Sequence, residues 1–254
     1  MHSIIAKLGP LTIYSYGLMV AIAILLGIYV ATLEAIRKNI KPDLVYDLVL
    51  YLVIGSLIGA RVYYIAFFDP RSFIKDPISI FKIWQGGLAI HGAILGGIVA
   101  GMLFSRFHKV SFWKSADLIA PSIILGQGIG RIGCFLNGCC FGVPTESIFG
   151  IRFPRGSLPG IVYRSLAVHP TQLYELALNI IGFFILWSMR RRIKFDGGLF
   201  LLYLMIYSCI RVAVSSLRGD ELYIWGTHFK IAQIISGVIF VIAIIVFVKR
   251  EKNA

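Results

Sequence analysis

The sequence predicts an all-α polytopic membrane bundle of about seven transmembrane segments, and three observations predict it. Of the 254 residues, 58% are hydrophobic and 15% are charged. The apolar residues fall into runs of about twenty, the length at which a helix rising 1.5 Å per residue crosses a hydrocarbon core. Short basic segments separate the runs, and no hydrophilic stretch is long enough for a separate soluble module. A single integral membrane domain over residues 1–254 is therefore expected.

Taken in order, spans are expected near residues 11–33, 44–68, 88–105, 116–136, 171–189, 197–217 and 229–248. The first run ends in charged residues rather than at a small-residue cleavage site, so it reads as a retained span and not as a signal peptide. Basic residues follow alternate spans. Arg37, Lys38 and Lys41 follow the first, Arg106, Lys109 and Lys114 the third, Arg190 to Lys194 the fifth, and Lys249, Arg250 and Lys252 the last. Positive-inside topology then puts these segments in the cytoplasm, the N-terminus outside and the C-terminus inside. A net charge of +13 would suggest nucleic acid in a soluble chain. Here it reads as a topology signal and an attraction for anionic lipid.

The opposite side receives the loop from Asp69 to Gly87, in which Ile80, Phe81, Ile83 and Trp84 could lie in the headgroup region as an interfacial helix; an ordinary ordered loop is the equal alternative. It also receives residues 137–169, broken by Pro144, Pro154 and Pro159, which are expected to form a small ordered cap over the outer face. The short loop from Arg218 to His228 lies there too. The fourth span is expected to be bent or partly re-entrant, because Pro121, Gly126, Gly128, Gly130 and Gly133 argue against a continuous helix. No internal repeat is present.

The polar residues inside these spans carry the chemistry. Residues 126–142 read GQGIGRIGCFLNGCCFG. A guanidinium at the centre of a span costs about 2.5–3.5 kcal/mol on insertion scales, so Arg131 needs a reason to be there. Arg61 and Arg211 also lie in or at the ends of spans, with His91, Tyr16, Tyr207, Gln172 and Glu175 at similar depth. Each has an ordinary reading. Gly126 and Gly130 would form a small-xxx-small packing face, Tyr16 an aromatic-belt residue and His91 a core histidine bonded to a carbonyl. Glu175 would neutralise one arginine, and Arg61 would be a structural pair member. Together they suggest more, because guanidinium groups from separate helices suit a phosphodiester, which they bind as a bidentate fork. A nearby histidine, with its near-neutral reference pKa, suits proton transfer from an incoming nucleophile. Cys134, Cys139 and Cys140 would staple the bend through one disulfide. No metal site is expected of them, since neither a histidine nor a fourth thiol lies near in sequence.

Six motifs occur in order: YGLM at Tyr16, GARVYY around Arg61, two glycines followed by His-Gly from Gly86 to Gly92, GRIGCFLNG from Gly130, HPTQLYE from His169, and Tyr207 four residues before Arg211. With them the chain resembles the bacterial prolipoprotein diacylglyceryl transferases over nearly its whole length. The resemblance implies a seven-helix inner-membrane enzyme that moves the diacylglyceryl group of phosphatidylglycerol onto the lipobox cysteine of a prolipoprotein signal peptide, with glycerol phosphate leaving and no cofactor or metal. It implies that Arg131 and Arg211 hold the lipid phosphate, that His91 is or helps generate the base, and that Tyr16, Tyr207 and Asn137 line the site. Arg61, Gly142 and Arg218 count with the substrate-binding residues, Arg218 as a headgroup contact or gate. The chain departs from the family pattern at Cys134, where Asn is usual, and at Cys139 and Ser215, where acidic residues are usual. The field around the arginines should then be more positive, which fits a tuned form of the same activity or a paralogue using another acceptor. A thiol-redox enzyme, and a lipid or anion transporter, are the remaining alternatives.

Overall fold

The computed structural model describes residues 4–8, 11–70, 76–81, 86–164, 166–220 and 229–253. Among them are seven helices long and apolar enough to cross a membrane: α1 (Ser15–Arg37), α2 (Asp43–Phe68), α3 (Ile90–His108), α4 (Phe112–Asn137), α6 (Thr171–Met189), α7 (Gly198–Leu217) and α8 (Ile231–Lys252). A one-turn helix, α5 (Leu158–Val162), lies between α4 and α6. Large apolar side chains such as Leu25, Phe67, Phe184 and Ile245 stand exposed on the long helices. Such faces would drive aggregation in water, and around spans they meet acyl chains. The chain is a multi-pass membrane protein.

Two compact units are present, residues 1–30 with 119–254, and residues 31–118. In the first, α7 packs against α6 and α8. Its core gathers Ala120 and Ile124 of α4, Leu186 of α6 and Leu199, Tyr203, Ile210 and Val214 of α7. The segment after α4 holds two short strands. Strands β3 (Ile151–Arg152) and β4 (Ala167–Val168) pair antiparallel, and Phe141, Phe153 and Val168 form a small core beneath them.

In the second unit, α2 lies against α3 along a seam of glycines. A Cβ on Gly59 would stand 2.8 Å from the Gly96 Cα, and one on Gly55 would stand 2.9 Å from the Gly96 carbonyl oxygen. Only residues without Cβ let the two backbones come this close, which is how helices gain dispersion contact where lipid removes the hydrophobic drive. Glu34 pairs with Arg37, and Lys38 Nζ lies 3.3 Å from Asp117 Oδ2, so the buried carboxylates are matched.

Two expectations are corrected. The first span begins at Ser15 rather than residue 11, because Leu11–Tyr14 forms strand β2, paired with β1 (Ile4–Leu8). The fourth span is one uninterrupted helix through Pro121 and every glycine. Bilayer-buried amides have no partner outside the helix, so the entropic cost of glycine does not open it. Around Pro121, the burial of Ala120 and Ile124 and the bond from Ser122 Oγ to the Gly27 carbonyl (2.7 Å) fix the helix in place. In the loop after α2, the described part is a short 3-10 helix, Pro77–Phe81, while Ile83 and Trp84 of the expected interfacial segment lie outside the described residues, as do residues 221–228 of the loop before α8.

Candidate functional site

The first unit brings most of the expected site residues together. Helix α6 starts at Thr171, just after Pro170, whose ring fixes φ and ends the preceding extended segment. From there Gln172, Glu175 and Asn179 recur at helical spacing and are all buried. Glu175 Oε1 accepts from Arg131 Nη2 at 2.5 Å, which gives Glu175 the counter-ion role expected of it. This contact also explains how Arg131 survives in a span. A guanidinium buried beside a matched carboxylate avoids most of the cost of an isolated charge.

Tyr207 and Arg211 stand one turn apart on α7. Tyr207 lies within electrostatic reach of Glu175, Arg131, Arg211 and Arg218, which come from three helices and the segment beyond α7. Arg218, the residue after α7, is held from several directions. Its Nε and Nη2 donate to the two oxygens of Asp220, each at 2.9 Å, and its backbone forms a bridge with Gly142. Lys230 is buried, with Nζ donating to the carbonyls of Arg218 (2.7 Å) and Ser215 (2.5 Å). Burial disfavours the Arg218 cation, but its hydrogen bonds to Asp220 and the nearby Cys140 more than offset this, so its pKa rises above the ordinary arginine value.

Tyr16 lies against Gly133, where a Cβ would meet the Tyr16 ring at 3.1 Å and its Cα at 3.2 Å. Its neighbours in charge are Cys134, Cys139, Arg131 and Cys140, which places it at the same end of α4. Asn137, the last residue of α4, is exposed. Gly142 has a structural reason to be glycine: a Cβ there would stand 2.7 Å from the His169 carbonyl and 2.8 Å from that of Leu217. The packing glycines of α4 are Gly128, facing Asn179 and Leu176, and Gly133, rather than the expected pair. Gly126 makes only ordinary contact with Ala23, and nothing among the described residues stands within 4 Å of a Cβ at Gly130.

The cysteines are free thiols, so the expected disulfide is not formed. Cys140 is held below the ordinary thiol pKa by its side-chain interactions with Cys134 and Cys139, with Arg218 and Arg131 adding positive field. The bond to Cys134 lowers Cys139, but the bond to Cys140 together with burial outweighs it and leaves Cys139 above the ordinary value.

Arg61 and His91 belong to the second unit. Arg61 is buried, and its Nε donates to the Ile80 carbonyl (3.2 Å) while Nη1 donates to those of Gly86 (2.6 Å) and Gly87 (3.1 Å). Those bonds clamp the loop before α3, a structural use made through backbone carbonyls. His91, the second residue of α3, is exposed rather than a core histidine, with its ring 6.0 Å from that of Tyr63.

The profile of the prolipoprotein diacylglyceryl transferase family matches residues 3–249. The chain belongs to that family. A phosphatidylglycerol--prolipoprotein diacylglyceryl transferase of Oceanobacillus iheyensis is 39% identical over 252 residues, covering 97% of this chain and 87% of the relative. One from Nostoc sp. is 41% identical over 240 residues (92% and 83%), and one from Fusobacterium nucleatum is 36% identical over 289 residues, covering 100% of this chain and 99% of the relative. The chain is therefore an enzyme of the diacylglyceryl transferase family. Lys230 and Asp220 are members of the site neighbourhood that the sequence did not reveal. The only signal for either was the Arg-x-Asp spacing of Arg218 and Asp220, which matches the reach of an arginine fork.

Proposed function

We propose that this chain transfers the diacylglyceryl group of phosphatidylglycerol to the lipobox cysteine thiol of a prolipoprotein signal peptide, on the outer side of the bacterial inner membrane. The observation that carries the reading is that Arg131, tied to Glu175, lies with Arg211 and Arg218 within electrostatic reach of Tyr207. The substrate sulfur attacks the glyceryl carbon that bears the phosphate ester. The carbon–oxygen bond breaks, its electron pair goes to the phosphate oxygen, and glycerol phosphate leaves. The leaving group is good only if its charge is met, and donors fixed in place beforehand are worth several kcal/mol, on the order of 10²–10³ in rate per donor. Glu175 holds Arg131 in place without leaving the pocket negative, because the other arginines outnumber it. Tyr16 and Asn137 would border the same end of α4. The thiol is a strong nucleophile only as thiolate, and His91 is the proposed proton acceptor, a role that rests on the resemblance.

The absence of internal repeats weighs against a lipid or anion transporter, since transporter folds commonly carry them. The test is complementation of a bacterial strain depleted of its own transferase. Wild type should restore growth and lipoprotein maturation, while Arg131→Ala and His91→Gln, produced at equal membrane levels, should not. Full rescue by His91→Gln would remove the base assignment, and rescue by neither wild type nor variants would favour another acceptor.

A further inference from the structure

The transfer chemistry above leaves the three cysteines at the end of α4 unused. Their sulfur atoms all lie within 4.8 Å of one another, and Cys139 Sγ is 3.8 Å from Cys140 Sγ. The backbone makes them converge. The Cys134 carbonyl accepts the closing bonds of the helix, from Gly138 N at 2.9 Å and Cys139 N at 3.1 Å. Gly138, at φ 76°, then reverses the chain, and Cys140, at φ 61°, turns it again, so that both later thiols come back to the helix end. A left-handed cysteine is strained and persists only where its surroundings impose it. Two buried residues of α6 do so: Thr171 Oγ1 donates to the Cys140 carbonyl at 2.7 Å and Gln172 Nε2 to the Cys139 carbonyl at 2.6 Å.

The spacing discriminates between two uses of such a cluster. Metal–sulfur bonds of about 2.3 Å place sulfurs about 3.8–4.0 Å apart in tetrahedral or trigonal geometry. Cys139 and Cys140 already have that separation, and the third sulfur lies within 4.8 Å of both. A disulfide between Cys139 and Cys140 is disfavoured, because a trans peptide sets adjacent Cα atoms about 3.8 Å apart, below the usual disulfide range of roughly 4.4–6.8 Å. Charge agrees with the metal. Three thiolates around one cation leave net negative charge, and Arg131 and Arg218 face Cys140. Cys134 is buried and the other two are half-buried, so an ion would reach the cluster from one side. The sequence alone argued against a metal for want of a fourth donor, yet a three-thiolate set with one open position is a workable soft-metal arrangement.

We propose that Cys134, Cys139 and Cys140 form a binding site for a thiophilic d10 metal ion of the zinc(II) or copper(I) class, at the end of α4 beside Arg131. This assignment does not depend on the transfer reading. The test uses the reduced, chelator-treated full-length protein in detergent, titrated with cadmium(II) alone as a spectroscopic d10 probe. The expected result is a sulfur-to-metal charge-transfer absorption that saturates at one ion per chain. It should fall to background in Cys134→Ser, Cys139→Ser and Cys140→Ser and persist in Cys209→Ser. In the unmutated protein, which avoids any folding defect of the variants, cadmium(II) should protect those three thiols from the alkylation they undergo in its absence, read by mass spectrometry. Absence of the absorption, its survival in the three single variants, or undiminished alkylation of Cys134, Cys139 and Cys140 with cadmium(II) present would overturn the proposal.

Discussion

Arg131 and Glu175 show how much a single buried contact decides. Removing the carboxylate leaves a cation in a span with its main partner gone, a change that costs about 3–5 kcal/mol where buried pairs have been broken. Glu175→Ala should therefore lower the temperature of thermal inactivation in detergent sharply, and Glu175→Gln, which keeps an acceptor oxygen, by less. Equal stability of Glu175→Ala and wild type would mean that the pair is not buried in the native membrane. Gly142 makes a quieter case. Its Cβ would press on two carbonyl oxygens that cannot turn aside, so Gly142→Ala should cost about 1–3 kcal/mol, read as an earlier thermal transition together with reduced transfer through displacement of Arg218. Arg131 and Glu175 were legible in the sequence because charge in an apolar run is anomalous. Gly142 looked like a ligand-facing glycine, and only the approach of His169 and Leu217 reveals its packing role.

At the scale of helices, the spans were readable nearly to the residue because lipid leaves the chain few choices: length and hydrophobicity alone bound α2, α6 and α7 within a residue or two of the expected ranges. The errors came where local rules written for water were applied inside the bilayer. Pro121 and four glycines suggested a broken α4, yet with no solvent to receive freed backbone groups the helix continues. The glycine seam between α2 and α3 went unnoticed, since Gly55, Gly59, Gly92 and Gly96 acquire meaning only when the two helices are known to touch. That seam makes Gly59→Ala the sharpest test at this scale. Its new methyl would collide with the Gly96 backbone, and the variant should show loss of folded protein in detergent by size exclusion and a lowered thermal transition. A stable variant would show that the α2–α3 contact is looser than described.

Across the whole molecule, the formal charge of +13 is distributed unevenly, with basic residues clustered after the first, third, fifth and last spans. Seven spans and that asymmetry predict an external N-terminus and a cytoplasmic C-terminus. Alkaline phosphatase fused after Ala254 should be inactive and a fluorescent protein fused there bright; the reverse pattern would invert the topology and move the proposed site to the other leaflet. Composition alone announced the membrane class, and the ordered motifs pointed to the family that the comparisons support. The sequence grouped Arg131 with Glu175, Tyr207 and Arg211 by depth and by the resemblance, but these residues are far apart along the chain, so only the structure shows that Glu175 pairs with Arg131 and that Asp220 holds Arg218.

The central claim, that these arginines hold a lipid phosphodiester while a thiol displaces it, is tested most directly with purified protein, phosphatidylglycerol and a synthetic lipobox peptide, following the thioether product by mass spectrometry. Wild type should form the diacylglyceryl peptide and release glycerol phosphate in equal amounts, and Arg131→Ala, still folded by size exclusion, should be slower by on the order of 10²–10³. Undiminished product from Arg131→Ala, or lipid binding by wild type with no product at all, would contradict it.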